Sequence, residues 1–207
     1  MVSFQQLTST SMLTVFSALC FLISAPAYTA DEETPLTAPN WRLLDLGYAI
    51  EADRDSSVRA DMLNLRASLP VYEYGLLQFE SNVGQVSGRN SNPDMNAYQL
   101  NIMAGLRMAA SEQADLFVLV GGTRVEMEVD DFNLSEHGFI TQAGMRGRIN
   151  ERVDISSYVQ YSKTGSLSTT SWHGEVRYNI ANRVDLLLGG GVYSRALSGK
   201  VGISVHF

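Results

Sequence analysis

Six charged side chains fall in three short stretches at every-second-residue spacing: Arg124 and Glu126, Arg146 and Arg148, Glu175 and Arg177. In an extended strand, residues i and i+2 share a face, so each pair projects from one side of its segment. Guanidinium and carboxylate groups gathered away from water form bidentate, charge-assisted hydrogen bonds. Such a set can lock an interior. Were water to enter, the same groups would orient ions along a narrow pore. Asp45, Glu51, Arg66, Glu80, Arg107, Glu128, Asp154 and His173 lie on the corresponding parity of their own stretches and extend the set.

The remaining reactive groups are sparse. Of the histidines His137, His173 and His206, the first two are expected near one rim, beside Asp130, Asp131, Ser135 and Glu136. A rim His with Ser or Asp has the parts for general acid–base or nucleophilic attack on a lipid or peptide. Turn-forming stretches are rich in Ser and Asp in any case. The histidines sit far apart on different stretches without metal-ligand spacing. No catalytic residue, metal ligand or cofactor-binding residue is therefore assigned, and the chain is not expected to be an enzyme. The net charge of −7 and the absence of any Lys/Arg cluster also argue against a nucleic-acid partner.

The elements that must position these residues are strands. From Trp41 onward, apolar and polar residues alternate in ten segments separated by turn-rich stretches, and no window favours a helical period. Leu44, Leu46, Tyr48 and Ile50 alternate with Asp45 and Glu51; Leu63, Leu65 and Leu69 with Asn64 and Arg66; Leu77, Phe79 and Val83 with Gln78 and Glu80. After a long loop, Gly88 to Asp94, Tyr98, Leu100, Ile102 and Leu106 alternate with Gln99, Asn101, Met103 and Arg107. The fifth segment opens on the apolar run Leu116 to Val120, whose facing is ambiguous. It is expected to resolve into apolar Thr123, Val125, Met127 and Val129 against Arg124, Glu126 and Glu128. Beyond an acidic loop, Asp130 to Glu136, Phe139, Ala143, Met145 and Ile149 oppose Gln142, Arg146 and Arg148. Ile155, Val159 and Tyr161 then oppose Asp154, Ser156 and Gln160, and Trp172, Val176, Tyr178 and Ile180 oppose His173, Glu175 and Arg177. The ninth segment, Leu186 to Tyr193, has no clear facing because Leu186-Leu187-Leu188-Gly189-Gly190-Gly191 breaks the alternation. The tenth is unambiguous, with Val201, Ile203, Val205 and Phe207 on one face and Lys200, Gly202, Ser204 and His206 on the other.

Segments of about ten residues with a dyad period suit a tilted, membrane-crossing strand. Aromatic residues fall toward segment ends: Tyr98, Phe139, Tyr161 and Trp172 at one rim, Phe117, Tyr178 and Phe207 at the other. That is the pattern of interfacial girdles, and it places the apolar parity in lipid. The fold expected is an all-β, antiparallel, up-and-down transmembrane β-barrel of ten strands, with eight as the alternative. Three turns also echo one another: Gln113-Ala114-Asp115-Leu116, Arg152-Val153-Asp154-Ile155 and Arg183-Val184-Asp185-Leu186.

Ahead of the barrel, the apolar run Met12 to Ile23 and the small-residue motif Ala25-Pro26-Ala27 have the form of a secretory signal over residues 1–27, with Ala30 a later cleavage candidate. Residues 28–40 are then a polar, disordered periplasmic leader and 41–207 the barrel. Cys20 leaves with the signal, so neither a disulfide scaffold nor a thiol nucleophile is expected.

On these residues, the closing GISVHF (Gly202 to Phe207), the cleavable signal and the Asp-Leu/Ile turns, the chain resembles the small outer-membrane β-barrels of Gram-negative bacteria. It is similar in layout to opacity-protein and OmpX-type surface barrels, and closest to the small family regulated by a diffusible signal factor. The resemblance implies an outer-membrane location and a C-terminal assembly signal at Val205 and Phe207. It implies as partners outer-membrane lipid and lipopolysaccharide, with the barrel-assembly machinery and periplasmic chaperones during biogenesis, for a protein that is itself a monomer. The expected role is non-enzymatic, in the surface or envelope, with a salt-bridged polar interior. A narrow porin-like channel for small solutes or ions is the alternative, and a rim-site lipid-modifying or proteolytic enzyme the third. Asp130, Asp131 and Glu136 could bridge lipopolysaccharide phosphates through a divalent cation, but a solvated acidic loop accounts for them better.

Overall fold

The computed structural model describes residues 39–54, 58–88, 91–129 and 132–207; the expected signal over 1–27 and the expected leader as far as residue 38 fall outside the described residues. Ten strands follow in chain order: β1 Leu43–Asp53, β2 Arg59–Val71, β3 Gly75–Gly88, β4 Ser91–Ser111, β5 Ala114–Val129, β6 Phe132–Asn150, β7 Val153–Thr164, β8 Leu167–Ala181, β9 Val184–Tyr193 and β10 Ala196–His206. Each pairs antiparallel with its sequence neighbours, and β1 pairs with β10 from Leu43↔His206 to Asp53↔Ala196, which closes the barrel. Closure leaves no unpaired edge, the condition for a sheet to cross hydrocarbon.

One end of the wall is built from tight turns, the mark of the periplasmic side. Here the last residue of each turn docks on the next hairpin. The carbonyls of Tyr74, Gln113, Arg152 and Arg183 accept hydrogen bonds from the backbone N–H groups of Arg107, Arg148, Asn179 and His206, at 2.7, 2.8, 2.8 and 2.9 Å. Three of these hairpins shift register by one residue just before the turn, between Ala109 and Ser111, Arg148 and Asn150, and Asn179 and Ala181. Those are the three turns whose sequences echo one another. The echo marks a repeated structural unit, whose inward Asp residues form the barrel floor.

Facing follows from exposure. Val118 is 55% exposed and its neighbour Leu119 0%; Val176 is 43% exposed and Arg177 3%. Leu46, Leu63, Ile102, Leu106, Val120, Met145, Val159, Leu188, Val201 and Ile203 continue the outward band around the wall. A continuous apolar belt of this extent belongs in lipid. Phe139 and Tyr161 lie 5.6 Å apart on neighbouring strands, and outward Trp172 donates from Nε1 to Ser157 Oγ at 2.9 Å. The run in β9 resolves: Leu186 and Leu188 face out, while Leu187 is fully buried.

Two expectations are overturned. Phe117 is buried inside the barrel and belongs to no girdle. In β5 the parity runs unbroken from the outward Leu116, Val118 and Val120, so Arg124 and Glu126 also point outward, and Thr123, Val125 and Met127 point in. The physical reason is height. β4, β5 and β6 have 21, 16 and 19 residues, whereas about 9–11 suffice to cross a bilayer. The upper part of β5 therefore stands above the hydrocarbon, where its outer face meets water and its charges belong outside. The same extension takes residues 91–94 and 132–136 of the two expected loops, Gly88 to Asp94 and Asp130 to Glu136, into strands. β3 pairs with β4 as far as Gly88↔Ser91, and β5 with β6 as far as Val129↔Phe132.

Candidate functional site: the barrel interior

The periplasmic half of the lumen is filled by a charged network packed against an apolar cluster. Asp45 on β1 and Glu175 on β8 are its anionic centres, both nearly inaccessible. Arg66 on β2 donates from Nη2 to Asp45 Oδ2 and to Glu175 Oε2, each at 2.5 Å. Arg177 donates from Nη2 to the same two oxygens at 2.9 Å each. Lys200 Nζ donates to Glu175 Oε1 at 2.7 Å, and Ser204 Oγ to Asp45 Oδ1 at 2.5 Å. Since β2 and β8 are separated by β1, β10 and β9, the Arg66–Glu175 pair spans the lumen. A second polar bridge crosses elsewhere, from Gln78 Nε2 on β3 to Gln142 Oε1 on β6 at 3.2 Å.

The floor holds the repeated aspartates. Arg146 forks onto Asp154, Nε to Oδ1 at 2.9 Å and Nη2 to Oδ2 at 3.0 Å. Asp185 receives Asn179 Nδ2 at 2.9 Å and pairs with His206 Nε2 at 2.5 Å. Asp115 accepts from the indole Nε1 of Trp41 at 2.6 Å. Trp41 precedes β1 and turns into the barrel. Its ring meets Phe117 edge-on, with centroids 5.3 Å apart, and lies beneath the Arg146 guanidinium at 5.2 Å. Around it Leu76, Met103, Phe117, Leu119, Ile140 and Tyr158 form the apolar cluster. A void of ≈ 20 Å³, about the space of one water, lies between Trp41, Phe117 and Tyr158 and the charged groups of Arg66, Arg146, Glu175 and Arg177.

Above the plug sits an aromatic layer. Tyr158 stacks on His173, with centroids 4.9 Å apart and planes 15° from parallel, and His173 meets Tyr193 edge-on at 5.6 Å. Two glycines make the room. A Cβ at Gly144 would fall 2.4 Å from the Tyr158 Cβ, and one at Gly191 would fall 2.7 Å from the His173 Nδ1. Beyond this layer the lumen widens into a vestibule of ≈ 290 Å³ open to the extracellular side. Its walls include Ala60, Met62, Val86, Val125 and Met127, with Glu51 and Asp53 on β1.

Of the six residues expected to share an interior network, Arg146, Glu175 and Arg177 do so; Arg146 and Arg177 both approach Asp154, the latter at 3.9 Å. Arg148 stands opposite Asp154 in the β6–β7 register. Arg124 and Glu126 do not join; they pair with each other on the outer wall, with Arg124 about half exposed. Because solvent screens that pair, Glu126→Gln is expected to change stability by no more than about 1 kcal/mol, read as the temperature at which the heat-modifiable gel band shifts. Of the proposed assembly residues, Val205 pairs with Leu44 and Val184, and Phe207 faces outward, 41% exposed. His137 is exposed on the outer wall, His173 is half-buried in the lumen and His206 is on the floor, so the rim cluster expected of His137 and His173 is not assembled. Ser171 Oγ lies 2.8 Å from His173 Nε2, but Ser171 is buried at 3% exposure, away from the vestibule lining.

The sequence reading missed the apolar half of the plug. A signal was present: the doublets Leu43-Leu44, Leu76-Leu77, Ile102-Met103 and Phe139-Ile140 put an apolar side chain on both faces at once. One member of each doublet meets lipid and the other the lumen.

No known family model matches the chain, and no curated protein matches it in sequence. Solved structures match in fold. An outer membrane channel from Pseudomonas putida F1 is 10% identical over 82% of this chain and 96% of its own, with a TM-score of 0.50. The outer membrane protein OprG from Pseudomonas aeruginosa is 11% identical over 83% and 98%, with a TM-score of 0.46. Ail, the attachment invasion locus protein of Yersinia pestis, is 11% identical over 80% and 95%, with a TM-score of 0.43. With its closed antiparallel wall and its outward apolar belt, the chain has the fold of an outer-membrane-type β-barrel.

Proposed function

We propose that this barrel is a closed, non-enzymatic envelope protein, anchored in the outer membrane as a monomer and presenting the raised wall of β4 to β6, not a conduit. The observation that carries this reading is the trans-lumen ion network, in which Arg66 and Arg177 bind both Asp45 and Glu175. A hydrated ion or sugar would have to separate buried pairs whose partners would then stand uncompensated. Outward cations support contact with lipopolysaccharide: Arg124 faces His137 across the β5–β6 pair above the apolar belt, and Lys163 faces Phe139. Binding at such a rim rests on loops and strand ends held by a rigid wall.

Liposome swelling tests this role. Vesicles carrying the protein should swell in isotonic arabinose no faster than empty vesicles. Rapid swelling would favour the narrow-porin alternative.

A further inference from the structure

Closure removes every strand edge across the apolar belt, but above the belt the wall is uneven. β5 and β6 stay paired up to Val129↔Phe132, whereas β6 and β7 pair only as far as Gly138↔Thr164. Among the described residues, no strand pairs with residues 132–137 on the β7 side. The Gly165 N–H of the β7–β8 turn donates to the His137 carbonyl at 3.3 Å, so His137 turns its backbone groups that way. Alternation along the strand turns those of Ser135 and Asn133 to the same side, into the position above the turn. Asn133, Leu134 and Ser135 are exposed. Solvent-facing edges are commonly blunted by Lys, by Pro or by a bulge. Residues 132–137, FNLSEH, contain neither residue, and the β5–β6 register runs without a shift. Charge on this hairpin has one dominant sign. Glu126, Glu128, Asp130, Asp131 and Glu136 stand in sequence against Arg124, which already pairs with Glu126. Glu136 leans on the foot of the open edge: a Cβ added at Gly165 would fall 2.6 Å from Glu136 Oε2.

We propose that the open edge of β6 takes up an extended, basic segment of another protein as an added strand. The segment's backbone pairs with Asn133 and Ser135, and its cationic side chains lie beside Glu136 and reach toward Glu126 and Glu128. Main-chain hydrogen bonds supply the affinity. The acidic surroundings select the sign of the partner and speed its encounter. A second copy of this chain would bring the same acidic edge against itself and is disfavoured. The proposal rests on the reading that the raised wall stands outside the membrane, and not on the closed lumen. A leaking barrel would show in the swelling assay without altering the result below. Failure of an impermeant maleimide to label Ser135→Cys on intact cells would overturn the outside placement, and the proposal with it.

The test uses the full barrel, ¹⁵N-labelled in lipid nanodiscs, titrated with an end-blocked octapeptide of alternating lysine and valine. Saturable shifts of the Asn133, Ser135 and His137 amides are expected, with slowed hydrogen exchange at Asn133 and Ser135. The same peptide with glutamate in place of lysine should not bind. Ser135→Pro removes one donor from the open edge and none from the β5 side, and should weaken binding about tenfold. A peptide N-methylated along its pairing edge probes the same bonds without changing the protein, should that variant fold poorly. Equal binding of the N-methylated peptide would mean adsorption by charge alone and would overturn strand addition. Equal binding of the glutamate peptide would overturn the basic partner. Exchange protection at Ser135 that rises with barrel concentration, without peptide, would give the edge to a second copy and overturn the proposed occupant.

Discussion

Replacing Glu175 with glutamine is expected to destabilise the barrel by about 3–5 kcal/mol, the penalty for leaving buried charge without its partner. Glu175 holds three cations at once, Arg66, Arg177 and Lys200, at 2.5, 2.9 and 2.7 Å. Glutamine keeps the shape and one acceptor but removes the charge, leaving Asp45 to face both guanidinium groups with only Asp154, 3.9 Å from Arg177, to help. Lys200 is the most accessible of the three, at 13% side-chain exposure, and swings free most readily. The arginines are held at 5% and 3% and have nowhere wet to go. Urea titration in vesicles, followed by tryptophan fluorescence, measures the loss. An unchanged midpoint would mean that the network is solvated and that the lumen is not packed.

Val176→Arg is expected to cost about 2–4 kcal/mol, for the opposite reason. Val176 stands next to Arg177 in sequence but on the other face of β8, between Ile155 and Leu188 in the register. Along β8 the outward positions run from Trp172 to Ile180, so Val176 lies at the centre of the lipid-crossing stretch, where an arginine has furthest to reach for water. Val176→Leu keeps the surface apolar and should leave folding yield in vesicles unchanged. If the Arg and Leu variants refold equally well, the outer face of β8 is not in hydrocarbon.

These two residues show what a sequence of this class discloses. Where a strand crosses lipid and backs onto charge, as at Val176 and Arg177, period-two alternation gives facing, strand identity and membrane side together. The same rule misleads in β5, because it equates apolar with outward. Above the bilayer that equation reverses: Arg124 meets water outside, while Val125 and Met127 line the chamber inside. The position of the bilayer surface along a strand is not written in alternation. It emerges only when the unequal strand lengths are set side by side in register. The partners of the plug were legible by residue type but not by pairing. Arg66 meets Glu175 across four strand steps, a distance that barrel closure sets and that local sequence does not encode. Trp41, one residue into the expected barrel, carried no local sign that it would fold back onto Asp115 and Phe117.

The central claim, that the lumen is sealed by pairs reaching across it, is tested most directly by single-channel recording in planar bilayers. The parent protein and an Arg66→Ala, Glu175→Ala double variant should be compared under the same voltage and salt. The parent is expected to insert without steady conductance, and the double variant, with the cross-lumen bridge removed, to show discrete ion-conducting openings. A stable, ion-selective channel in the parent that the double substitution leaves unaltered would contradict the sealed barrel.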